Sequence, residues 1–269
     1  MKRTSLYLLA ALAVVVIALP LLLMLMNSLK GTAEAQLGFL ALPREPGFAA
    51  WREAWARLSG SFGISLMLAL PAVLLSALLA AVNGFVLCKY RFRGERWVGL
   101  LLVLAFFLPI KVYLLPLAIT MARLGLDRSL GLLIAIHVIY SLPLALFFRN
   151  HFLSFPDELL QAARLDGAGF WRLLWRVVLP LSRPIFVVVL ILQFTTIWNE
   201  YLFGLVFGPE DARPITAALA QLSAQTETGA RAYPLEMAAA LLAAAPTLLV
   251  YLLAGRHFTR GLVAGAVKG

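Results

Sequence analysis

The chain has 269 residues, 62% of them hydrophobic and 13% charged, with a mean hydropathy of +0.90. Soluble domains carry roughly 25% charged and about 45–50% apolar residues, so this composition excludes that class and points to a membrane protein. The net charge of +10 is not a nucleic-acid footprint, because the basic residues punctuate long apolar runs, and the single cysteine, Cys88, excludes an internal disulfide or a cysteine metal cluster.

A helix needs about 20 apolar residues to cross a ~30 Å hydrocarbon core, where only helices or closed barrels satisfy the backbone. Six segments qualify, 6–28, 61–88, 97–121, 131–148, 184–207 and 236–254, which predicts an all-α integral membrane protein with one transmembrane domain over 1–269. The first, after Met1-Lys2-Arg3 and before Ala33-Glu34-Ala35, has the outline of a signal peptide, but its apolar run exceeds the length of such a core. Prolines 20, 71, 109, 116, 143 and 246 fall inside spans and are expected to kink them. The loop charges orient the spans. With the N-terminus inside, the cytoplasmic segments hold fourteen Lys and Arg residues against eight outside, which places both termini in the cytoplasm.

Between the fourth and fifth spans runs RNHFLSFPDELLQAARLDGAGFWRLLWRVVLPLSRP, and this inside segment, 149–183, predicts two short helices at an angle. Ser154 is a candidate cap for the first, with Pro156 in its opening turn and Asp157 and Glu158 favourable to its dipole. Gly167 supplies a left-handed stop. In the second helix Phe170, Leu173, Leu174, Val177 and Val178 form an apolar stripe beside Trp171, Arg172, Trp175 and Arg176, before Pro180 and Pro184 end it. That pattern suits a helix lying at the membrane surface, and it also suits a plain amphipathic connector.

Gln161-Ala162-Ala163, then Gly167, Val177, Leu179 and Pro180, resemble the EAA loop of permease subunits in binding-protein-dependent ABC importers. The spacing agrees throughout, and the departure is Gln161 where that pattern has Glu; Glu158, one turn earlier, is a candidate substitute. Trp198-Asn199-Glu200-Tyr201, Met237-Ala238-Ala239-Ala240 and the ending from Arg260 to Gly269 resemble the carbohydrate-uptake branch, in particular the maltose-type second permease, with some texture of its glucose/mannose-type members. The resemblance implies a six-span ABC importer permease with a cytoplasmic coupling-helix loop, in which Glu158, Gln161, Ala162, Ala163, Asp166 and Gly167 meet a partner ATPase. It also implies that Gly261, Gly265, Lys268 and Gly269 reach between two ATPase subunits, where the bare composition reads as a frayed end. The implied partners are a second six-span permease, two ATPase subunits carrying ATP and Mg2+, an extracytoplasmic sugar-binding protein and inner-membrane lipid. No cofactor is expected on this chain, no nucleic acid is expected to bind, and the implied cargo is a sugar, glucose or mannose or a small oligosaccharide.

Ionisable groups at membrane depth usually face a cavity or a partner. Lys111 and Glu200 lie about 21 and 24 Å from the inner ends of their spans at 1.5 Å per residue. Three readings stand: an ion pair, snorkelling to the outer surface, or contact with cargo. Asn83, His137, Gln193, Trp198 and Asn199 suit either bonding across helices or touching a sugar.

Two other functions are weaker. A self-powered transporter would be expected to bury several carboxylates, and only Glu200 is clearly inside a span. A membrane enzyme would need clustered ligands or a nucleophile with its base, whereas His137, His151 and His257 are scattered, and no G-x-x-x-x-G-K-[ST] loop cradles a nucleotide. The orientation is testable by cysteine labelling. Cysteines at Ser59 or Thr226 should react with an impermeant reagent from outside, and those at Ala168 or Ala264 only from inside; the reverse pattern overturns the assignment.

Overall fold

In the computed structural model, residues 3–35, 38–126, 128–226 and 233–266 are described, with the side chains of 3, 4, 32, 35, 110, 111, 226 and 256–266 excepted. Helices make up the architecture, and no strand occurs among the described residues. In order they are α1 (Arg3–Ser28), α2 (Thr32–Ala35), α3 (Ala49–Lys89), α4 (Glu95–Phe107), α5 (Ile110–Arg123), α6 (Leu130–Tyr140), a 3-10 turn (Leu142–Leu144), α7 (Ala145–Phe152), α8 (Asp157–Leu165) and α9 (Phe170–Leu173). A π-helical stretch (Leu174–Val178) then leads into α10 (Leu179–Leu181), α11 (Arg183–Asn199), α12 (Leu202–Phe207), α13 (Ile215–Thr226) and α14 (Tyr233–Ala266).

Four helical runs, Ser5–Ser28, Ala49–Lys89, Leu130–Phe152 and Tyr233–Gly255, are long and apolar enough to cross a membrane. Two bent pairs, α4 with α5 and 170–181 with α11, raise the number to six if each is one span. Several expected boundaries change. The second helix starts at Ala49, so part of the expected outside segment is helical, and the fourth runs to Phe152 instead of ending near 148. Pro109 does more than kink the third: it stands before α5 in extended conformation, and the two halves meet at 109°. The expected span 184–207 is interrupted at Glu200–Tyr201, and α14 continues well past 254.

The chain packs as two compact units, residues 1–63 with 215–246, and 64–214 with 247–269. In the first, Ala54, Leu58, Leu222, Leu235, Ala238 and Ala239 form the core. A polar knot closes the C-terminal end of α1. Lys30, counted above as a loop charge, is 3% exposed and donates from Nζ to Asn27 Oδ1 at 2.9 Å and to the carbonyl of Gly38 at 3.0 Å. Burying a cation is tolerable when such acceptors replace its water.

In the second unit the core runs through Ala77, Ala80, Ala81 and Phe85 of α3, Phe148 and Phe152 of α7, Leu160 of α8 and Leu173, Leu174 and Val178. Small residues on α3 let backbones approach closely, the usual device where lipid supplies no hydrophobic drive between helices. Gly84 is the tightest case. A Cβ there would stand 2.6 Å from Phe148 Cβ and 2.7 Å from the carbonyl oxygen of Ala145. Gly84→Val should therefore destabilise the chain by roughly 1–3 kcal/mol or more through overpacking. Thermal unfolding in detergent checks this, and a midpoint equal to the parent's overturns the close approach.

Candidate functional site

The segment 149–183 folds as two helices with a glycine between them. The C-terminus of α8 closes in a Schellman arrangement: Gly167, at φ +77°, donates its N–H to Arg164, and Ala168 donates to Ala163, both at 3.0 Å. The left-handed stop expected from the sequence is present. The expected cap is not, because Ser154 Oγ donates to the carbonyl of His151 at 2.7 Å, finishing α7 instead. Pro156 occupies the N-cap position of α8 and no side chain caps it there.

What holds α8 is the end of α3. Lys89 Nζ lies 2.8 Å from Asp157 Oδ1, on the first residue of α8, and donates to the carbonyl of Phe155 at 3.3 Å. At the other end of α8 the Arg164 guanidinium stands 5.6 Å from the centre of the Tyr90 ring, a cation–π distance. Leu160 is buried and Ala163 half-buried against Phe85, Phe152 and Phe170. Sequence reasoning missed both end contacts. Lys89 and Asp157 are 68 residues apart, and nothing local to either announces a partner.

The opposite face of α8 is open. Glu158, Gln161, Ala162, Asp166 and Gly167 are exposed, as is Leu165 at 89%, a surface leucine that sequence reasoning had not singled out. The second helix behaves as its pattern implies: Leu173, Leu174 and Val178 are buried, Phe170 and Val177 half-buried, and Trp171, Arg172, Trp175 and Arg176 exposed. Pro180 does not end it. It sits inside α10, after five residues of π-helix that loosen the turn where the proline N–H is missing. The break comes at Ser182, and Pro184 opens α11.

The polar residues of the spans mostly serve the helices. Asn83 and Asn199 donate to the carbonyls of Leu79 and Thr195 on their own helices, and Gln193 donates to Ser76 Oγ at 3.3 Å, joining α11 to α3. His137 is buried beside Phe203, and Trp198 is buried on the Phe194 ring. The Glu200 carboxylate accepts the N–H groups of Leu202 at 2.7 Å and Phe203 at 2.8 Å, capping α12 at the break in the span. The side chain of Lys111, its expected partner, lies outside the described residues, as do the side chains of Gly261 and Gly265 and all of Lys268 and Gly269. No group of three or more His, Cys, Asp or Glu fit for a metal occurs among the described residues.

Several apolar helices of membrane-crossing length define a multi-pass helical membrane protein. Residues 46–263 match the profile of the binding-protein-dependent transport system inner membrane component, and the chain belongs to that family. It is 42% identical over 190 residues to a probable ABC transporter permease of Pyrococcus horikoshii, covering 69% of this chain and 68% of that one. It is 34% identical to a xylose/arabinose import permease of Haloferax volcanii, covering 78% and 74%. The fold matches the crystal structure of a bacterial ABC transporter involved in alginate import, with a TM-score of 0.79 at 20% identity over 95% of this chain and 96% of that one.

The clamp between α3 and α8 has a measurable signature. Lys89, by hydrogen bond and charge, holds the Asp157 carboxyl below its ordinary value near 3.8. A depressed carboxyl stabilises the fold at all pH above its unfolded pKa, and that contribution disappears as pH falls through the folded value. Asp157 is exposed, so the effect is small. In a Lys89→Ala, Asp157→Ala double-mutant cycle, thermal midpoints should be non-additive at neutral pH and become additive in acid. Additivity at neutral pH would remove the clamp.

Proposed function

We propose that this chain is one of two six-span permeases of an ATP-driven sugar importer, with 1–269 acting as one permease domain. The observation that carries the reading is α8 itself: a short helix held at one end to Lys89, the last residue of α3, and at the other to Tyr90 just beyond it, stopped by a left-handed glycine, with its outward face open. A helix so held is suited to receive a displacement from a protein partner and pass it on. Glu158, Gln161, Ala162, Asp166 and Gly167, with the exposed Leu165, are the surface we assign to a partner ATPase, and Ala163 packs that surface onto the core. ATP and Mg2+ belong to that ATPase, and no cofactor is assigned to this chain.

The partners in this reading are a second permease, two ATPase subunits and an extracytoplasmic binding protein, as the family's description implies for the last. The bent pair α4–α5 and the run α11–α12 then count as spans, both termini are cytoplasmic, and Gly261, Gly265, Lys268 and Gly269 are assigned to contact with the ATPases. Sugar is the cargo class, supported by the name of the Haloferax relative; glucose, mannose and small oligosaccharides are the candidates within it. Coupling of this kind biases a two-state inward and outward equilibrium.

Gly167→Val tests it. A β-branched residue at φ +77° is strained by about 1–2 kcal/mol or more, while a Cβ at that position meets no neighbouring atom. The complex should therefore still assemble in liposomes, with substrate-stimulated ATP hydrolysis lost or the ATPase shed on purification. Gln161→Glu should be tolerated. Normal coupled transport by Gly167→Val overturns the assignment.

A further inference from the structure

We propose that the outward face of the helical stretch 170–181 is a binding site for acidic phospholipid headgroups of the cytoplasmic leaflet. The inference rests on the orientation above, in which α11 crosses the membrane and begins at its inner face. The stretch 170–181 meets α11 at 82°. A helix nearly perpendicular to a span, at the point where that span enters the bilayer, runs along the membrane surface.

Its two faces differ in chemistry. Leu173, Leu174 and Val178 are no more than 1% exposed and belong to the core. Trp171 and Trp175, 62% and 54% exposed, lie four residues apart on the other side, alongside exposed Arg172 and Arg176, also four apart. Indole rings settle at the headgroup level because one edge is polar and the body apolar. Guanidinium groups bind phosphate oxygens with paired N–H donors. No acidic residue occurs between Asp166 and Glu200, and neither arginine forms an ion pair among the described residues. The face is therefore a positive, tryptophan-flanked strip without an internal counter-charge, and an acidic lipid surface is its complement.

The strip is joined to the docking helix. Arg172 Nη1 donates to the carbonyl of Gly167 at 3.4 Å, the residue that stops α8. A lipid phosphate drawing on the same guanidinium holds that turn against the membrane, so lipid composition bears on how firmly α8 is seated.

The test uses the assembled transporter in vesicles of phosphatidylcholine with or without phosphatidylglycerol. A nitroxide on Trp175→Cys, in a Cys88→Ala background, should collide more with oxygen dissolved in lipid than with an aqueous nickel chelate. Its motion should slow when phosphatidylglycerol is included but not when inorganic phosphate is added to the buffer. Arg172→Gln and Arg176→Gln should each lower the enrichment of phosphatidylglycerol retained by the purified complex by roughly fivefold. Arg91→Gln, whose side chain is 96% exposed on another basic loop, should not. A label as accessible to water as one at Leu165, a label shielded from both probes only when the ATPase is present, or unchanged enrichment in both arginine variants overturns the lipid site. The sidedness of the label separates the two readings. Reaction with an impermeant reagent from outside sinks the orientation itself, whereas a fully aqueous label reached from inside sinks the lipid site alone.

Discussion

Hydrocarbon offers a peptide group nothing to bond with, and each place where this chain departs from a helix shows how that constraint is met. At Glu200 the span breaks, and the two N–H groups freed at the start of α12 are taken up by the glutamate's own carboxylate. At Ser141 the fourth helix tightens into a 3-10 turn around Pro143; the N–H of Leu144 bonds to the carbonyl of Ser141, whose hydroxyl donates to Val138. At Leu108 the third helix ends with that residue's N–H still bonded to Leu104, and the next residue, Pro109, has no N–H to satisfy. Breaks of this kind let an α-helical membrane protein bend without stranding polar groups.

The same economy shapes the end of α3. Beyond the apolar span, Lys89 and Tyr90 meet α8 through a charge and a ring, interactions that would be expensive deeper in lipid and are ordinary at its edge. The two contacts lie at opposite ends of α8. Alanines and Gly84 on α3 bring α7 close, and the aromatic cluster of Phe85, Phe152 and Phe170 fills the space beneath the loop. In the proposed coupling role, motion imposed on α8 is delivered to this packed body.

Long-wavelength features were legible in the sequence. Apolar run length located four of the expected spans as helices long and apolar enough to cross a membrane, since a span is a one-dimensional property of composition. Gly167 announced its left-handed turn because few other residues occupy that conformation without strain. The alternation in 170–178 foretold which side chains face inward, even though the helix there is wound as π and runs through Pro180.

Where a residue had competing partners, the sequence had no means to choose. Ser154 has the chemistry of an N-cap, yet it closes the helix before it, because Pro156 starts α8 too far on for its hydroxyl. Glu200 has the look of half an ion pair, and its position at a backbone break puts its oxygens on two amides. Lys30 counted as a loop charge but is buried against carbonyls brought back by a turn, and Lys89 found Asp157 only through the packing of α7 and α8 under α3. Composition, run length and local backbone preference are summed along the chain and were settled by the sequence alone; the choice among polar partners depends on distances between segments far apart in sequence, which only the packed helices decide.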